Sequence, residues 1–207
     1  MDGVKIRKAK PDDAAAAAPL IYSTGPIQFN LAYGSEARAT SLISRLFARR
    51  GNISSFQYAR MAEKSGKVAG ILVLHDRDII RNAYAQTGAE LVRLAGPLFL
   101  FYRLPLYLRQ GLMDPEPSQN ELFVAQVAVV SSFRGQGIGR LLMKEAEDVA
   151  NMKEYASISL GVSKNNRPAI SLYKSLGYSI ADVLESPWLK RRFGFAGVYR
   201  MVKSIQK

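Results

Sequence analysis

Between Phe133 and Met143 the chain reads FRGQGIGRLLM, with glycines at 135, 137 and 139. Glycine costs backbone entropy and offers nothing to pack, so this density implies a main chain that turns tightly or lets a ligand approach closely. The apolar run LFVAQVAVV comes just before, and Leu122–Val130 reads as a buried strand. From Gly137 to about Met152 the apolar positions recur at helical spacing. A strand, a glycine turn and a helix in that order gather backbone N–H groups and the positive end of a helix dipole around one point. That is a site for an anion, most naturally a phosphate. The spacing is not that of a Walker loop, because no Gly-Lys-Ser/Thr follows. Nor is it a dinucleotide fingerprint, since Arg140 and Leu142 stand where a third glycine would be needed.

Around this centre the pattern alternates. Val4–Ala9 reads as a strand, followed by an alanine-rich helix to Tyr22 and a second helix from Ser35 to about Arg50. Tyr22 and Tyr33 flank STGPIQFN, which reads as a loop. Phe56–Glu63 and Lys67–Leu74 form a hairpin across Lys64-Ser65-Gly66. From Asp76 to Asn120 two helices, Ile80–Leu94 and Leu98–Gln110, and the turn DPEPSQN suggest an insertion between strands. After the glycine turn come a strand at Ala156–Val162, a helix at Arg167–Leu176 ended by Gly177, and strands at Tyr178–Leu184 and Val198–Ser204. The expected class is α/β or α+β with a mixed sheet, in one domain spanning 1–207 that holds the helical insertion 76–120.

Two segments together carry a family likeness. VAVVSSFRGQGIGRLLM resembles the acyl-CoA-binding motif of the GNAT superfamily of N-acetyltransferases, Arg/Gln-x-x-Gly-x-Gly/Ala after a strand. Downstream, GVSKNNRPAISLYKSLGY is similar to that superfamily's second motif of strand, Asn, helix, Tyr and Gly. The opening KIRKAKPDDAAAA also looks like its first strand and helix. The resemblance implies a mixed sheet splayed between its fourth and fifth strands, flanked by helices, with acyl-CoA in the gap. The insertion between the third and fourth strands departs from the family pattern.

The likeness also implies roles. The N–H groups of Gly135, Gln136, Gly137, Ile138, Gly139 and Arg140 would wrap the CoA pyrophosphate, with Arg134 and Arg140 adding charge. Val127, Ala128 and Val129 match the positions whose main chain meets the pantetheine arm and the acyl carbonyl. Asn166 matches the residue whose amide bonds pantetheine; read from the residues alone it is equally an N-cap before Pro168. Tyr173 matches the general acid that protonates the departing CoA thiolate. For the general base the family pattern gives out: the usual positions hold Gly161, Phe123 and Gln126. Glu121, two residues before Phe123, and His75, at the end of a strand, are candidates, and a water chain is a third route.

Composition narrows the rest. The chain has no cysteine and a single histidine, which excludes disulfides, thiolate nucleophiles and Cys-type zinc, and leaves no metal cluster to expect. A net charge of +12 suits an anionic co-substrate, although the Lys and Arg are scattered and no nucleic-acid motif accompanies them. The greasiest stretch, Leu94–Leu108, contains an arginine and two prolines and is too short to span a bilayer. With no apolar leader at the start, a cytoplasmic location is expected. The aromatic-rich insertion suits a lid, a homodimer surface or packing on the sheet. The expected activity is transfer of an acetyl or related acyl group from acetyl-CoA, or another acyl-CoA, to an unidentified amine by direct attack. A noncatalytic acyl-CoA-binding module is the alternative.

Overall fold

The computed structural model describes residues 3–96, 101–102 and 117–205. Its strands are β1 (Val4–Lys8), β2 (Ala59–Lys64), β3 (Lys67–His75), β4 (Glu121–Val129), β5 (Ser157–Ser163), β6 (Ser179–Leu184) and β7 (Val198–Ser204). They form one sheet in the order β1-β2-β3-β4-β5-β7-β6. Adjacent strands run antiparallel except for the parallel pair β4–β5. The helices are α1 (Ala14–Ser23), α2 (Pro26–Tyr33), α3 (Glu36–Phe47), α4 (Arg77–Ala95), α5 (Ile138–Met152), α6 (Arg167–Ser175) and α7 (Pro187–Phe193).

Side-chain alternation along the strands divides the core in two. On one face Met61, Ile71 and Val73 pack with Ala17, Ile21, Ile43, Leu46 and Phe47 of α1 and α3. On the other, Leu72, Leu122, Val124, Ile158 and Leu160 pack with Leu142, Met143 and Ala146 of α5 and with Tyr173 of α6. The sheet is therefore sandwiched between α1 and α3 on one side and α5 and α6 on the other. At the outer edge Arg7 joins β1 to the start of α1: it donates to both carboxylate oxygens of Asp13, at 2.7 and 2.8 Å, and to Glu63 on β2 at 2.7 Å.

Two helices depart from the sequence expectation. STGPIQFN is not a loop: Pro26 supplies the fixed φ suited to a first helical turn, and Gly34, at φ 108, ends α2. In α7, Ser186 Oγ accepts from Leu189 N at 3.3 Å, Pro187 follows, and Gly194 closes the helix in the left-handed region. Both are too short for a helical period to stand out in the sequence. The hairpin is also shorter than expected, because Phe56–Tyr58 is a 3-10 turn and β2 begins at Ala59.

Within the insertion, α4 starts where Asp76 Oδ1 accepts from Ile79 N at 2.7 Å. It buries Ala83, Thr87 and Leu91, and Thr87 Oγ1 accepts from Ile53 N at 2.9 Å. This helix packs as core. The second expected helix, Leu98–Gln110, falls outside the described residues except for Phe101 and Tyr102, whose rings are exposed. No helix among the described residues is long and apolar enough to cross a membrane.

Candidate active site

The parallel ladder between β4 and β5 is short. It runs only from Glu121↔Ser157 to Val124↔Leu160, after which β4 continues beside β3 to Val129 and β5 beside β7 to Ser163. The split begins at a β-bulge. On β3, Val73 pairs with Gln126 and Leu74 with Val124, which leaves Ala125 as the extra residue. A bulge bends its strand and increases local twist, so β4 peels away from β5 at this point.

Hydrogen-bond parity assigns the main-chain groups beyond the bulge. Val130 N donates to Ala69 O at 2.9 Å, so on alternation Ala128 and Gln126 also turn their N–H and C=O toward β3. A Cβ built on Gly70 would lie 2.7 Å from Ala128 O, which agrees with that direction. Val127 and Val129 then direct their main-chain groups into the split. The side chain of Arg134 bends back to the Val129 carbonyl, donating through Nε at 3.3 Å.

After β4 the chain makes a 3-10 turn at Ser131–Phe133 and passes through Gly135 (φ 75) and Gly137 (φ 79, ψ 0) into α5. L side chains rarely adopt these angles, so glycine is needed for the backbone itself. The first α5 bond runs from Leu141 N to Gly137 O at 3.1 Å, and no side chain caps the helix. The N–H groups of Ile138, Gly139 and Arg140 therefore have no partner within the helix and carry the positive end of its dipole. Gly139 has another function: a Cβ there would sit 3.4 Å from Leu172 Cδ2, so its absence lets α6 lie close. The polar side chains of the turn are held elsewhere. Arg140 Nη2 donates to Ser175 Oγ at 2.9 Å, while Gln136 accepts from Lys64 Nζ at 2.5 Å and donates to Ser132 O at 3.3 Å. The groups this turn leaves without protein partners at the start of α5 are thus mainly backbone.

Asn166 begins α6 as its N-cap, accepting from Ala169 N at 3.3 Å, and Pro168 follows in the first turn. The backbone N–H of Asn166 donates to Ser163 O at 2.9 Å, while its side-chain Nδ2 has no protein partner among the described residues. Tyr173 lies seven residues on, close to the same side of the helix. Its ring is 7% exposed and packs 6.0 Å from that of Tyr178. Burial pushes the Tyr173 hydroxyl up to about 12, which keeps it protonated near neutrality. Its oxygen has no protein partner among the described residues, yet is not among the atoms sealed from solvent without one.

The two candidate bases are occupied otherwise. Glu121, 2% exposed, accepts from Arg200 Nη2 at 2.7 Å on both oxygens and also from the Ser159 hydroxyl. Its carboxylate is engaged in an ion pair and a hydroxyl contact. His75 is 3% exposed and packs edge-to-face on Tyr58, with ring centroids 5.6 Å apart. Burial pulls the imidazole down to about 4, against the weaker opposing effects of Ile53 and Asp76, so it is neutral at physiological pH. Sequence reasoning missed the Ala125 bulge and Arg200. An isolated arginine in a strand pattern gives no sign of its partner.

Comparison with known proteins agrees with this arrangement. The model of the GNAT acetyltransferase family matches residues 29–178. A 73-residue stretch is 37% identical to the thialysine N-epsilon-acetyltransferase of Mus musculus, covering 35% of this chain and 42% of that one. The match thus spans less than half of that relative. Among solved structures, one acetyltransferase superposes with a TM-score of 0.70 at 21% identity, over 98% of this chain and 100% of the other. An N-acetyltransferase from Staphylococcus aureus Mu50 superposes at 0.64 with 19% identity, over 96% and 100%. The split sheet, the glycine turn at its mouth and the family match over most of the chain agree: this protein belongs to the GNAT family of acetyltransferases.

Proposed function

We propose that the chain acts as one acyltransferase domain that moves an acetyl group from acetyl-CoA to an amine by direct attack. The observation that carries this reading is the uncapped start of α5, reached through left-handed glycines from a strand that has just parted from its neighbour. In this reading the pyrophosphate lies against the N–H groups of Gly135–Arg140, and pantetheine follows the split past the Asn166 amide. A Val127 or Val129 N–H donates to the acyl oxygen, where negative charge develops as the amine attacks. The amine nitrogen forms a bond to the carbonyl carbon and the C–S bond breaks. Tyr173 gives its proton to the leaving sulfur. With Glu121 paired to Arg200 and His75 buried, the proton of the attacking amine leaves through water. Holding the two reactants in line supplies much of the acceleration.

The first test is calorimetric titration of acetyl-CoA into the native protein and into Gly137→Asp and Gly139→Asp, with thermal melts to confirm folding. Micromolar binding that disappears in both folded variants supports the reading. Undiminished binding by the variants would remove the phosphate role of the turn. Release of free CoA on addition of amines separates an enzyme from a noncatalytic acyl-CoA-binding module.

A further inference from the structure

On the sheet face turned away from α5 and α6, polar side chains from three neighbouring strands converge. Glu121 of β4 and Ser159 of β5 are buried, and Arg200 of β7 reaches them with 19% of its side chain exposed. The carboxylate is saturated by its two contacts with Arg200 Nη2 and by the Ser159 hydroxyl. The guanidinium is not. Nη2 alone makes the pair, while Nη1 and Nε have no partner among the described residues and neither is sealed from solvent. An arginine carries five N–H donors in a rigid plane, so several remain free with their direction fixed by Glu121.

The position of this cation matters. Arg200 pairs with Gly161 on β5, one residue beyond the last β4–β5 pair at Val124↔Leu160. It stands beside the fork of the split, and its cross-strand neighbour brings no side chain to cover it. Asp182 on β6 also faces Arg200 in register, but its Oδ1 accepts from Val183 N at 2.7 Å and no ion pair joins the two. If acetyl-CoA enters over α5 and α6, as the acetyl-transfer reading requires, the acceptor reaches the thioester from the opposite face. That is the face on which Arg200 lies.

We propose that Arg200 binds a carboxylate of the acceptor, so the acceptor is a small amine that also carries a carboxylate. Glu121 is a positioning residue: it neutralises part of the charge and aims the guanidinium, without touching the reacting atoms. The inference rests on the acetyl-transfer reading, because that reading defines the acceptor face.

The test uses N-acetylglycine and N-acetylglycinamide, which share an acetylated amine and differ in the carboxylate. Each is titrated by calorimetry into protein saturated with CoA. The native protein is expected to bind the acid roughly tenfold or more tightly than the amide, as a charge-assisted contact predicts. In Arg200→Gln the ratio falls to about one, while Glu121→Gln, which keeps the cation, retains a preference for the acid. Should Arg200→Gln fail to fold because Glu121 is left buried without a counter-charge, the double variant Glu121→Gln/Arg200→Gln reads the same loss. Equal affinities in the native protein, binding of neither compound, or a preference that survives removal of Arg200 would overturn the proposal. Failure to bind CoA at all is a different result, and it would strike the acetyl-transfer reading itself.

Discussion

In the proposed reaction the donor side of the split, from β4 through the glycine turn to α6, acts mainly through its main chain: strand groups of Val127 and Val129, then the free N–H groups at the start of α5. The opposite side, the acceptor side of that reaction, is formed by α2, α7 and the face of β5 and β7, and acts through side chains. There Leu31, Leu189, Phe195 and Val198 make a small separate core, and Arg200 pairs with Glu121. A main-chain site depends on backbone shape, which a few glycines at fixed spacing reveal in the sequence. A side-chain site depends on which residues distant strands bring together.

That contrast can be probed at several levels. The largest effect is expected at Tyr173, the donor-side group whose side chain is assigned a proton transfer. Tyr173→Phe should lower kcat by roughly 10²–10⁴-fold while leaving acetyl-CoA affinity close to native, because only the transition state uses the proton. Stopped-flow and steady-state rates check this, and an unchanged kcat would remove the role.

A second effect lies at the end of β3. His75 has a folded pKa of about 4, below its ordinary value of 6.5. Between those values the unfolded chain binds the extra proton and the folded one does not, so stability rises with pH across this window and levels off above it. The contribution lost on going from pH 6.5 to 4 is about 3 kcal/mol. Urea melts of native protein and His75→Asn across that range should show the slope in the first and a much flatter line in the second. Parallel slopes would assign the pH dependence to other groups.

The glycine turn, the helix after it and the Asn-to-Tyr spacing of α6 were legible because they are local: strand, turn and helix follow within one stretch of chain. The strand alternation likewise placed the Val198–Ser204 strand at its observed bounds. The Ala125 bulge was not legible, because a bulge is defined by the partner strand and the nearly continuous apolar run LFVAQVAVV has no alternation for a bulge to interrupt. Glu121 reads as a candidate base in the sequence, since its partner Arg200 lies 79 residues away. The helices α2 and α7 were hidden by their brevity and by prolines that read equally well as loop signals.

Gly70 of β3 lies outside the glycine turn yet presses on β4. A Cβ there would come within 2.7 Å of Ala128 O and 3.1 Å of Leu142 Cδ1. Gly70→Ala should therefore destabilise the protein by ~1–3 kcal/mol and weaken acetyl-CoA binding by displacing β4. Calorimetry and denaturant melts measure both, and native CoA affinity at reduced stability would separate packing from the site. The smallest change is expected at Ser186, the cap of α7 on the acceptor side. Ser186→Ala should cost ~1 kcal/mol and leave acetyl-CoA affinity unaltered. A loss of donor binding there would show that the two sides are not independent.

In the proposed reaction the backbone of the split and its glycine turn holds acyl-CoA. The most direct measurement is a titration of ¹⁵N-labelled protein with CoA, followed through the amide resonances. The largest shifts are expected on Gly135–Arg140, Val127 and Val129, with little movement of the acceptor-side amides of α7. Saturable shifts centred elsewhere, or none at the start of α5, would contradict it.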